Sequence, residues 1–93
     1  MKRLATFFIP EEMIHKYSHT IIKLMKGMLV VRCEQIYHLQ GFEYVVVANC
    51  FPEVQLGGLP NKYFVDIYMD KLGPVHAMFW AVNDRHVFRR ELL

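Results

Sequence analysis

The sequence predicts an α+β domain of two layers, a mainly antiparallel sheet of about five strands with one helix on one face, in the order β-α-β-β-β-β. Three features lead there. A segment near the start has an apolar period of three and four between matching end signals, the period changes to two after Gly27, and the later β-branched and aromatic runs are separated by turn residues.

Lys2 to Ile9 is short and becomes apolar toward its end, which suits a first strand. The helix follows over about 11–26. Pro10 has a fixed φ suited to a helix start, Glu11 and Glu12 place negative charge beside unpaired N–H groups, and Lys23, Lys26 and Gly27 mark the far end. Ile14, Tyr17, Ile21, Leu24 and Met25 form the stripe for burial, while Lys16, His19 and Lys23 face elsewhere. The β-branched run Thr20-Ile21-Ile22 weakens the helix slightly.

From Leu29 the alternation runs on toward a turn at Gln40-Gly41, and Phe42 to Asn49 returns as the second arm of an antiparallel hairpin. Phe51 to Asn61 contains Pro52, Gly57, Gly58 and Pro60 and reads as a long loop. Strands are expected at Lys62 to Met69 and Val75 to Val82, with a turn at Asp70 to Pro74 and an end at Asn83-Asp84. The tail from Arg85 to Leu93 suits a short strand or a short helix equally.

With 93 residues, 54% of them hydrophobic, the chain is expected to be a single domain, 1–93, around a packed core. Eleven Lys and Arg against nine Asp and Glu, a balance of +2, create no whole-molecule field directed at nucleic acid or membrane. The greasy stretch Leu4 to Ile9 is too short for a signal peptide, and Ala77 to Val82 falls far below the roughly 20 residues of a membrane span. Cys33 and Cys50 form no C-x-x-C pair or disulfide framework, so both are expected to be buried thiols in a reducing, cytoplasmic setting.

Alternation along the strands divides the sheet into two faces. Leu29, Val31, Cys33, Phe42, Tyr44, Val46, Tyr63, Val65, Ile67, Val75, Ala77, Phe79 and Ala81 form the face under the helix. The other face carries Val30, Arg32, Val45, Val47, Phe64, Asp66, Tyr68, His76, Met78, Trp80 and Val82, too many large apolar groups for a solvated surface. One helix cannot cover both faces, so the second must meet the tail, the long loop, a second copy of the chain or another protein.

The leading expectation is a non-enzymatic interaction domain, a homodimer or the binder of a macromolecular partner. Phe64, Tyr68, Met78 and Trp80 would be its anchors, with His76 among them and Arg32 and Asp66 setting orientation. Such a compact chain suits a small accessory regulator or inhibitor, for instance one carried by a phage or other mobile element. One alternative is a small-ligand domain or enzyme with a pocket near Trp80 and His76 as proton carrier. The other is a nucleic-acid binder using Arg85, Arg89 and Arg90 with His86 and Phe88 interleaved.

No catalytic residue, cofactor or metal site is expected. His15 and His19 share a helix face, but their spacing to Cys33 and Cys50 matches no zinc module. Glu11, His15 and His19 could align acid and base groups, as many helix surfaces do. Ser18 lies within the helix, Cys50 has no flanking signature of a thiol nucleophile, and Gly57-Gly58 has no phosphate-binding context.

Overall fold

A computed structural model describes residues 3–55, 57–83 and 85–92. The fold is α+β as expected, with two short helices against a six-stranded sheet of order β2-β3-β1-β4-β5-β6. The strands are β1 (Leu4–Pro10), β2 (Leu29–Ile36), β3 (Gly41–Val47), β4 (Asn61–Asp70), β5 (Gly73–Ala81) and β6 (Val87–Glu91). The sixth comes from the tail, which forms a strand because its apolar Phe88 meets Phe79 and its backbone completes the edge of β5. Met1, Lys2, Leu56, Asp84 and Leu93, included in the expected domain and segments, lie outside the described residues.

All pairings are antiparallel except β1 with β4, which run parallel over only Ala5↔Asn61, Thr6↔Lys62 and Phe7↔Tyr63. The hairpin of β2 and β3 turns through Tyr37–Leu39 and a left-handed Gln40 at φ 54°. Gly41 follows, where a Cβ would stand 2.2 Å from the Phe8 ring and 2.6 Å from the Ile9 carbonyl oxygen, so only glycine fits. The Gln40 carbonyl accepts the Glu11 N–H at 2.9 Å, tying this turn to the start of the helical segment.

The single helix expected over 11–26 is divided into α1 (Glu11–Lys16) and α2 (Ser18–Leu24), with Tyr17 between them at φ −132°, ψ 50°. The break is cheap in hydrogen bonds, because the Tyr17 N–H still reaches the Met13 carbonyl and the Ile21 N–H the Tyr17 carbonyl. It lets α2 bury Ile21 and Leu24, while Met13 and Ile14 of α1 pack partly against the same core. Gly27 takes the expected left-handed conformation at φ 79° before β2 begins.

The core lies on one side of the sheet, where Ala5, Phe7, Ile9, Val46, Tyr63, Ala77 and Phe79 are all buried. Phe51, in the segment after β3, belongs to this side, buried with its ring 5.1 Å from Tyr63 and 5.4 Å from Phe88. Phe79 stacks on Phe88 at 4.6 Å and meets Phe7 edge-on at 5.4 Å. Both helices, Phe51 and, from the tail, Phe88 therefore pack on the inner face.

Two expectations are corrected at β2. A bulge between Val30 and Arg32 shifts the register, so Val30 pairs with Val46 on the inner face while Leu29 pairs with Val47 on the outer one. Cys33 is exposed because β2 is an edge strand that the helices do not roof, and Cys50, also expected to be buried, is only half-buried in the turn after β3.

Candidate functional site

The outer face is built on the hairpin of β4 and β5, whose turn is closed by the Asp70 carboxylate accepting the Leu72 N–H at 2.7 Å and by Gly73 at φ 120°. With β6 it sets side chains in three cross-strand rows. Phe64, Trp80 and Val87 form the first, Asp66, Met78 and Arg89 the second, and Tyr68, His76 and Glu91 the third. Arg89 Nε donates to Glu91 at 2.6 Å, and the Tyr68 and His76 rings stack at 4.7 Å.

The first row is conspicuously apolar for a surface in water. Phe64 is 62% exposed, Val87 41% and Trp80 39%, although burial of such groups stabilises a domain by about 1.5–3 kcal/mol each. The cause is topological. Among the described residues, both helices and Phe51 of the segment after β3 are used on the other side.

A groove deepens this face where β1 and β4 separate. Their pairing ends at Phe7↔Tyr63, beyond which β4 continues to Asp70 with no strand beside it on that edge. Phe8, Leu39, Phe64 and Trp80 line the opening, with Lys62 and Asp66 on its wall. Phe8 was legible as an outward residue between Phe7 and Ile9; Leu39 had no signal, because a turn has no alternation to read.

Six of the expected partner-binding residues come together here: Phe64, Asp66, Tyr68, His76, Met78 and Trp80. Arg32 does not. It sits on β2, three strands from β4 and so about 14 Å across the sheet, and its guanidinium donates to Glu34 at 3.1 Å. The tail's arginines are dispersed rather than clustered. Arg89 joins the outer face, while Arg90 points inward, donating to the Lys26 carbonyl and lying 3.8 Å from the Cys50 thiol.

The chain matches no protein-family model, no curated protein and no solved structure.

The remaining candidates lie apart from this face. His15 meets Glu11 at 3.3 Å on an exposed helix side, and among the described residues no three His, Cys, Asp or Glu side chains gather at one point. The His86 ring approaches the Tyr63 hydroxyl at 2.6 Å beneath the sheet, fastening the segment before β6 to the core. Burial pushes the Cys50 thiol above its usual range, opposed by the nearby Arg90 guanidinium. Among the described residues, no helix is long and apolar enough to cross a membrane.

The outer face offers aromatic area, a groove and a small number of flanking charges. Lys62 and Asp66 flank the groove beside Phe64 and Trp80, and Arg89 stands one strand beyond Met78.

Proposed function

We propose that this chain is a non-enzymatic interaction domain that docks another protein through the outer face of its sheet, with Phe64, Trp80, Met78 and Tyr68 as anchors. One observation carries this reading: Phe64 and Trp80 stand side by side in an open groove, while both helices and Phe51 pack on the opposite face. Asp66 and Arg89, on either side of Met78 in one cross-strand row, would give the docking partner a fixed orientation, because each charge rejects its like.

A photo-cross-linking residue at position 64 is expected to capture one defined protein, whereas the same residue at position 22, equally apolar and exposed on α2, captures none of it. The purified pair should then lose at least about 10-fold in affinity with Trp80→Ala, the effect of a central aromatic anchor. Equal capture from both positions, or unchanged affinity of Trp80→Ala, would overturn the proposal. A captured product of twice the chain's own mass would identify a second copy as the occupant.

The groove beside Trp80 also favours a second reading, a small apolar ligand. A screen of small aromatic compounds by Trp80 emission separates the two, since this is the sole tryptophan.

A further inference from the structure

We infer that the free edge of β2 is a self-association edge, on which a second copy of this chain adds its own β2 antiparallel, about a two-fold axis at Cys33. This edge is separate from the Trp80 groove, which opens between β1 and β4, two strands away.

Every residue from Leu29 to Gln35 is exposed, and Leu29 and Val31 are 66% and 53% exposed. A long edge strand with apolar side chains is a template for another strand unless charge, shortness or a bulge guards it. The bulge here lies at Val31, and Arg32 to Ile36 beyond it pairs regularly with β3, leaving a straight segment to present.

The charges on that segment decide what it accepts. Arg32 and Glu34 flank Cys33 on one face of the strand. When a second β2 runs antiparallel with Cys33 opposite Cys33, each Arg32 stands directly opposite Glu34 of the second copy, and four charges alternate across the seam. Opposite charges facing each other on adjacent strands are favourable, and like charges are not. Centring the axis on Arg32 or on Glu34 would set like charges face to face, and centring it on either bond beside Cys33 leaves both charges without a direct counterpart. The pattern therefore selects one partner and one register, a second copy of the same strand about Cys33.

The other edge is not equivalent. On β6 the register that pairs Arg89 with Glu91 would bring Arg90 against itself, and Arg90 is already engaged with the Lys26 carbonyl. Two-fold pairing at β2 joins the sheets with both outer faces on the same side, so a dimer displays two Trp80 grooves together.

The test is molar mass by analytical ultracentrifugation from about 1 μM to about 1 mM, the range a small interface requires. The wild type is expected to form a dimer. Arg32→Glu and Glu34→Arg, each alone, should weaken it by roughly 10- to 100-fold, since each turns two facing attractions into repulsions. An equimolar mixture of these two variants should restore association as a heterodimer, because each then supplies what the other lacks. A short bifunctional thiol reagent should join the wild-type chains through Cys33, and Trp80→Ala should leave the dimer unchanged. A wild type that stays monomeric, single variants with wild-type mass, or a mixture no better than its components would overturn the inference. A dimer lost with Trp80→Ala but kept with Arg32→Glu would overturn it as well and place self-association on the outer face.

Discussion

Phe79 and Phe64 occupy adjacent paired strands but opposite faces, and truncating each to alanine measures how completely the two sides of the sheet differ. Phe79 is fully buried, with ring neighbours Phe88 at 4.6 Å, Phe7 at 5.4 Å and Phe51 at 6.1 Å. Its removal should cost about 3–5 kcal/mol, the transfer of the ring plus the cavity left among rigid neighbours. For Phe64, 62% exposed, about 75 Å² of a roughly 200 Å² side chain is covered, which at about 25 cal/mol per Å² gives no more than about 2 kcal/mol. A domain of this length has roughly 5–14 kcal/mol in total, so the first loss approaches unfolding and the second is readily tolerated. In urea, with a slope of about 1.2 kcal/mol per M, the Phe79→Ala midpoint should fall by about 2.5–4 M and the Phe64→Ala midpoint by no more than about 1.7 M. Equal midpoints with unchanged slopes would refute the assignment of faces, because they would mean that the outer side is sheltered as well as the inner.

Two further outcomes follow from the same structure. Gly41→Ala should destabilise by at least about 3 kcal/mol in the same urea assay, because its Cβ would strike both the Phe8 ring and the Ile9 backbone, and the backbone cannot swing aside; a loss below about 1 kcal/mol would contradict the tight approach of β3 to β1. Burial raises the ionisation of both Tyr44 and Cys50 above the ordinary range, with the Cys33 thiol adding to the shift at Tyr44. Their contribution is thus complete below the ordinary values, about 8.5 for Cys and 10 for Tyr, and is lost as pH rises through the raised ones. The melting temperature should fall from about pH 9 upward, less steeply at first in Cys50→Ala; a flat profile to pH 11 would contradict this.

The sequence by itself determined the alternation of faces on β4 and β5, because a period of two leaves Phe64, Asp66, Tyr68, Met78 and Trp80 on one side whatever the strand order. It also determined the helical segment after Pro10, the turn at Gly27 and the small stature of the domain, all of which rest on local conformational preference or chain length. The break at Tyr17 was not legible, since residues on both sides favour helix and only packing of Ile21 and Leu24 onto the sheet selects the bend. Nor was the exchange of Leu29 and Val30, because one bulged residue reverses a period-two reading without any marker in composition. Only the tertiary structure decided which face Phe51 would cover and that the tail would extend the sheet as β6. Local pattern states that two apolar faces exist, but the choice between them depends on strand order, a product of long-range pairing. That order carried Phe51 and Phe88 beneath the sheet, moved Arg32 to a distant edge and left Trp80 in the open.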